Sequence, residues 1–131
     1  MSKIALVTGA SSGIGRAIAM NLLMQGHTVI GCSRDSRKFN KSHPNFYSLD
    51  MDLRQLQTLA EKTKQILKKF PSLDSVVFAA GYGQFGSLEE FSYAQIESLM
   101  TVNFTSVAFL TRALLPALKQ KSHADLIFIG S

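Results

Sequence analysis

A glycine-rich segment near the N-terminus, residues 8–15 (Thr-Gly-Ala-Ser-Ser-Gly-Ile-Gly), has the composition of an anion-binding turn. It follows the apolar run 4–7, which has strand length and β-branched content, and leads into a segment with apolar residues at helical spacing. Glycine lets a ligand approach the main chain closely. The N-terminus of the helix offers unpaired N–H groups and a dipole end that favours an anion by about 1 kcal/mol. Strand, turn and helix predict a phosphate-binding site, the alternative being glycines kept for packing alone.

The spacing of the turn separates it from two other phosphate-binding motifs. It does not follow the order G-x-G-x-x-G, and no Gly-Lys-Ser/Thr follows as in a P-loop. The order Thr-Gly-x-x-x-Gly-Ile-Gly resembles the cofactor-binding motif of the short-chain dehydrogenase/reductase family. The resemblance implies a Rossmann-type domain that binds NAD or NADP. The turn residues expected at the cofactor are Gly9, Ser11, Ser12, Gly13, Ile14 and Gly15.

Length and composition indicate one ordinary globular domain. The chain has 131 residues, of which 46% are apolar and 18% charged, and this excludes a disordered chain. The net charge is +5, but the basic residues are scattered and no basic stripe with interleaved aromatic residues occurs, so we expect no nucleic-acid partner. The single cysteine, Cys32, precludes an internal disulfide and favours a cytoplasmic location. The apolar stretch 102–118 contains Asn103 and Arg112, and we expect a buried helix there rather than a membrane span.

Alternating strand and helix patterns predict a doubly wound parallel sheet, an α/β fold with helices on both faces. About five strands are expected, so the Rossmann-type domain, 1–131, would be truncated before the family's last strands. Ligands on such sheets bind beyond the carboxyl ends of the strands, where the glycine turn lies. The predicted strands cover 3–7, 27–32, 46–49, 75–79 and 126–129, and the predicted helices cover 13–25, 54–69 and 92–119, the last in one or two pieces.

The end of the second strand bears on the choice of cofactor. Family members that use NAD commonly place an acidic residue there, whereas this chain has Ser33 followed by Arg34. A carboxylate about 4 Å from a phosphate would cost roughly 1–4 kcal/mol, while a guanidinium can bind phosphate with two hydrogen bonds. The resemblance therefore implies NADP, with NAD as the alternative, and Arg37, Lys38 and Lys41 add positive charge. Arg34 could instead be a solvated loop residue.

Two further segments match family positions that contact the cofactor. Asp52-Leu53 corresponds to the family's Asp-Val/Leu pair, whose Asp accepts a hydrogen bond from the adenine amino group. Asp50 competes for this assignment, and either carboxylate could simply cap the next helix.

The segment 78–81 (Phe-Ala-Ala-Gly) takes the place of the family's Asn-Asn-Ala-Gly. Ala79, Ala80 and Gly81 are small, as a close approach to the cofactor ribose requires. Both asparagines are missing. We expect apolar packing in place of the polar bridge between strands that one of them makes in the family.

Two residues match catalytic positions of the family. Asn103 would hold a water in a proton relay and bend its helix, or else bond to neighbouring helix carbonyls; as an apparently buried amide it needs a partner. Ser131, the last residue, matches the Ser that hydrogen-bonds the substrate carbonyl. The family's Tyr-x-x-x-Lys, whose Tyr transfers the proton, does not occur in the 131 residues.

The resemblance thus implies an oxidoreductase that transfers a hydride between nicotinamide and a small carbonyl or secondary alcohol. We expect the whole protein to be an enzyme and a homo-oligomer, and the 131-residue chain to bind cofactor without activity. The alternatives are a non-catalytic NADP-binding sensor and an assembly module. The three histidines lack metal-ligand spacing, so no metal is expected.

Overall fold

Five parallel strands form one sheet in the computed structural model, which describes residues 2–35, 43–81 and 86–130. Their spatial order is third, second, first, fourth, fifth, so the winding reverses between the two central strands. This confirms the predicted doubly wound, Rossmann-type sheet, with strand ends displaced by about one residue from the predicted ones. The strands are β1 (Ile4–Thr8), β2 (Thr28–Ser33), β3 (Phe46–Asp50), β4 (Ser75–Phe78) and β5 (Asp125–Phe128).

The helices follow their strands closely in the chain. The predicted helix at 54–69 begins two residues later, because the Arg54 N–H donates to Asp52 Oδ1 in a turn, at 3.0 Å, before the helix starts. A capping box begins the helix Tyr93–Met100: Gln95 N–H donates to Ser92 Oγ and Ser92 N–H donates to Gln95 Oε1. The helices are α1 (Gly13–Met24), α2 (Leu56–Lys69), α3 (Tyr93–Met100) and α4 (Ser106–Leu118), with a 3-10 turn at Leu88–Glu90 and a π-helical segment at Thr101–Thr105.

Successive residues of the central strands point to opposite faces of the sheet and build two cores. On one face Leu6, Ile30 and Val76 are fully or almost fully buried, in one cluster with apolar residues of α2 and α4. On the other face Val7 and its neighbours are buried with the apolar side of α1. Near-continuous apolar strands are what a parallel sheet covered on both faces requires.

The stretch Tyr93–Leu118 is covered on one side only, so the expectation of a buried helix is wrong for the other side. Leu110 and Leu114 are inaccessible to solvent, whereas Phe104 and Phe109 are 64% and 47% exposed. Within the described residues nothing covers this second side, which faces an open groove beside β5. By length and composition the stretch could cross a membrane, but core helices of globular domains meet the same criteria.

Two neighbouring leucines of α4 test this division of the helix. We expect Leu114→Ala to lower the free energy of unfolding by about 2–5 kcal/mol, because it leaves a cavity in the core. Leu115→Ala is the matched control and should cost less than about 1 kcal/mol, since Leu115 is 37% exposed at the groove. Urea unfolding followed by circular dichroism measures both, and equal losses would contradict the assignment of the buried side.

Candidate functional site

The turn between β1 and α1 requires glycine at three positions for different reasons. Gly9 and Gly13 have φ of 66° and 55°, in the left-handed region that favours glycine. A Cβ on Gly15 would overlap the Gly9 carbonyl oxygen, because the first turn of α1 folds directly onto the end of β1. At Gly9 and Gly15 the main chain packs too closely for a side chain, whereas at Gly13 space is open and the backbone conformation alone favours glycine.

The N-terminus of α1 is open to a ligand. Ser12 is the N-cap residue, but its side chain makes no capping hydrogen bond, and the first turn contains no acidic residue. No side-chain cap therefore takes up the first N–H groups, and no carboxylate of the first turn repels an anion. The helix start has the electrostatic character expected of a phosphate-binding site.

The carboxyl ends of the central strands are joined by a buried hydroxyl. Thr8 Oγ1 accepts hydrogen bonds from the N–H groups of Ala79 and Ala80, both at 3.1 Å. A Cβ on Gly9 would lie 2.7 Å from the Ala80 Cα, so the segments that follow β1 and β4 touch through their main-chain atoms. On the other side, Ala10 N–H donates to the Cys32 carbonyl at 3.1 Å. The turn is thereby fixed to both neighbouring strands.

A cleft of about 620 Å³ opens at this edge of the sheet. Every residue that the sequence predicted at the cofactor lines it, except Gly15, which lies behind the turn and serves its packing. The sequence did not predict two of the lining residues. These are Arg54, two positions after Asp52, and Val102, which immediately precedes Asn103. The lining residues are Gly9, Ser11, Ser12, Gly13, Ile14, Ser33, Arg34, Asp52, Leu53, Arg54, Ala79, Ala80, Gly81 and Val102.

Asp52, rather than Asp50, lines the cleft. Its carboxylate forms a two-point ion pair with Arg54: Oδ1 accepts from Nε at 3.1 Å and Oδ2 from a terminal nitrogen at 2.9 Å. These hydrogen bonds lower the pKa of Asp52, and the charge of Arg34 lowers it further. Neither acidic residue caps α2, because the N-cap of that helix is Gln55.

Asn103 lies at the centre of the π-helical segment and is exposed, so the expectation of a buried amide is wrong. The amide is accessible because its side of the helix is uncovered. A Cβ on Gly81 would lie 2.9 Å from Asn103 Oδ1, which places the amide against the cleft's glycine. The buried Ser106 hydroxyl donates to the Val102 carbonyl at 2.8 Å within this irregular turn. Such π-helical turns occur frequently at functional sites.

A second, larger cavity of about 1200 Å³ is the groove between α4 and β5. Asn103 and Ala80 line it, and Ala80 also lines the cleft, so the two cavities meet there. Phe78 and Phe128 stack on its floor with ring centroids 5.0 Å apart, which is the apolar packing expected in place of the family's asparagine.

Four residues singled out in the sequence, Ser131, Arg37, Lys38 and Lys41, lie outside the described residues. Within the described ranges no cluster of three metal-ligating side chains occurs. Cys32 is buried, and desolvation raises its pKa to about 12, so it is a neutral core thiol and not a nucleophile.

The Thr8 hydroxyl gives a test of how the strand ends are held together. We expect Thr8→Val to lower the free energy of unfolding by about 1–3 kcal/mol, because two partly buried N–H groups lose their acceptor while side-chain volume is retained. Thr8→Ser keeps the hydroxyl and should retain more of the stability. Guanidinium unfolding measures both variants, and a stable valine variant would contradict this role.

Comparison with known proteins agrees with the fold. The family model for short chain dehydrogenase matches residues 3–131. A short-chain dehydrogenase from Streptomyces avermitilis superposes with a TM-score of 0.94 at 30% identity, over 99% of this chain and 49% of that one. A metagenomic short-chain oxidoreductase in complex with NADP superposes with a TM-score of 0.91 at 31% identity, over 98% of this chain and 61% of that one.

Curated relatives extend well beyond the length of this chain. The 3-oxoacyl-(acyl-carrier-protein) reductase of Buchnera aphidicola is 31% identical over 98% of this chain and 54% of its own length. The chain spans about half the length of the curated relatives it matches. Since the family model covers nearly every residue and the sheet has the corresponding topology, the chain belongs to the short-chain dehydrogenase/reductase family.

Proposed function

We propose that this chain is the cofactor-binding part of an NADP-dependent short-chain dehydrogenase/reductase. The observation that carries the proposal is the cleft in which the open N-terminus of α1 and the guanidinium-bearing Arg34 line one continuous surface. A dinucleotide phosphate has anionic groups at two places, the pyrophosphate and the 2′-phosphate. The cleft offers positive character at two corresponding places.

The volume of the cleft also suits a small-molecule ligand. Its volume of about 620 Å³ lies within the range of small-molecule sites, roughly 300–1,000 Å³. The glycine turn would hold the pyrophosphate, and Gly9 lets the turn pack against Ala80, whose Cα would lie 2.7 Å from a Cβ at that position. Asp52 and Leu53 would contact the adenine, and the segment 79–81 the nicotinamide-side ribose. When bound, the cofactor supplies or accepts a hydride at its nicotinamide ring.

Arg34 favours NADP over NAD in this proposal. It follows Ser33, the last residue of β2, and no carboxylate stands at that position. A guanidinium can bind a phosphate with two charge-assisted hydrogen bonds, which are about twice as strong as neutral ones. The NADP complex of the metagenomic oxidoreductase supports the same choice.

The reaction proposed for the whole protein is reversible hydride transfer to a small carbonyl or from a secondary alcohol. Asn103, accessible and adjacent to Gly81, would hold a water of the proton relay, and Ser131 would hydrogen-bond the substrate carbonyl. The 131 residues contain no Tyr-x-x-x-Lys, so this polypeptide has no general acid for the carbonyl oxygen. We propose that it binds cofactor without turnover, and that the whole protein is a cytoplasmic homo-oligomer.

Titration of the purified chain with NADPH and NADH, followed by nicotinamide fluorescence, tests the cofactor assignment. We expect Arg34→Gln to weaken NADPH binding about tenfold and NADH binding by less than about threefold, because only NADPH carries the 2′-phosphate. Lys64→Gln removes a positive charge from the exposed side of α2 and is the matched control. Equal losses for both cofactors would contradict the role of Arg34, and no binding of either cofactor would leave the assembly alternative.

The absence of turnover is a separate prediction. With NADPH and a panel of aldehydes and ketones, the 131-residue chain should oxidise no NADPH above the rate without protein, because it lacks the proton donor. Absorbance at the nicotinamide band measures this directly. Sustained NADPH oxidation that depends on a carbonyl would refute the prediction.

A further inference from the structure

We propose that Arg54 is a positioning residue for cofactor choice: it holds the Asp52 carboxylate and cancels its charge beside the 2′-phosphate site. The inference rests on the proposed function and adds a residue that the sequence did not predict. Arg54 lies in the loop between β3 and α2, and it lines the same cleft as Ser33 and Arg34.

Arg54 holds the Asp52 carboxylate through several hydrogen bonds at once. Arg54 uses its backbone N–H, its Nε and a terminal guanidinium nitrogen on one carboxylate, at 3.0, 3.1 and 2.9 Å. The two residues are only two positions apart, so the loop itself holds them in register. Because the side chains are 47% and 27% exposed, the pair adds little to stability, and its effect is to orient Asp52.

The hydrogen bonds from Arg54 leave the Asp52 carboxylate one further acceptor site. An ionised carboxylate has about four acceptor sites on its two oxygens. The contacts from Arg54 use two sites on Oδ1 and one on Oδ2, so the remaining site is on Oδ2. A single directed acceptor in a cleft suits an amino group such as that of adenine. Arg54 therefore converts a freely rotating carboxylate into an acceptor of one orientation.

The pair also changes the charge that the 2′-phosphate would meet. Arg34, the guanidinium that we assign to the phosphate, and Asp52 line the same cleft, and the charge of Arg34 helps to lower the pKa of Asp52. Without Arg54, Asp52 would repel the phosphate and compete with it for Arg34. With its charge balanced by Arg54, the carboxylate can stay in the cleft for adenine while the site still accepts a phosphorylated ribose.

A double-mutant cycle on the purified chain tests this inference. NADPH and NADH are titrated into the wild type and into Arg54→Gln, Asp52→Asn and the double variant, at one ionic strength. We expect Arg54→Gln to reduce the preference for NADPH over NADH about five- to tenfold, since an uncompensated carboxylate then faces the phosphate. In the Asp52→Asn background the same change should have less than about a twofold effect on the preference.

Conservative and matched variants separate this role from a structural one. Arg54→Lys keeps the positive charge but cannot make the two-point contact with the carboxylate. It should therefore retain most of the preference for NADPH while slightly weakening the binding of both cofactors. Lys64→Gln, on the exposed side of α2, should leave the preference unchanged, and circular dichroism checks that each variant is folded.

The outcomes are distinguishable. If NADPH binds the wild type but Arg54→Gln leaves the preference unchanged, this inference fails alone. If the effect of Arg54→Gln persists in the Asp52→Asn background, Arg54 acts directly on the phosphate and the role through Asp52 is overturned. If neither cofactor binds the wild type, the proposed function fails as well.

Discussion

The approach of main chain to main chain at the carboxyl ends of β1 and β4 is the constraint on which the site depends. Gly9 contacts the Ala80 backbone, and the first turn of α1 packs against Gly9. The Thr8 hydroxyl accepts hydrogen bonds from the N–H groups of Ala79 and Ala80, which follow β4. Because the sheet winding reverses between these two strands, their connections diverge and leave a crevice above them. Side chains are excluded from this contact, so peptide groups and the helix dipole form the part of the crevice that lies beside it.

The two cavities that meet at Ala80 differ in chemistry. The cleft combines an open helix N-terminus with Arg34, Arg54 and a carboxylate whose charge is balanced. The groove is mainly apolar, with Phe104 and Phe128 more than half exposed. Contiguous exposed apolar surface on a globular domain is typical of an interaction or ligand surface. In the proposed function, the polar cleft would hold the nucleotide and the apolar groove would hold a second ligand, with Asn103 beside Gly81 where the two cavities meet.

Local sequence patterns were sufficient for the fold and for most of the cleft. The strands β1 and β4 are apolar except for Thr8 and Ser75, and the glycine turn has a characteristic spacing, so both could be assigned without tertiary information. Helical periodicity in 92–119 could not show which side would be covered, and the burial of Asn103 was therefore misjudged. The π-helical segment has no sequence pattern of its own. Arg54 was missed because its place in the cleft depends on how one loop directs two side chains.

The substitution of Phe78 for the family's asparagine shows how one structural role is divided between two interactions. The Thr8 hydroxyl at the end of β1 accepts hydrogen bonds from the two N–H groups that follow β4. This link between the two strands therefore needs no side-chain amide. The contact between β4 and β5 is made by the parallel rings of Phe78 and Phe128, whose planes differ by 4°. Phe78 is 3% exposed, but Phe128 is 54% exposed, so only half of this stack is removed from water. Since apolar contacts stabilise in proportion to the area they bury, any segment that covers the groove would strengthen the β4–β5 contact beside the cleft.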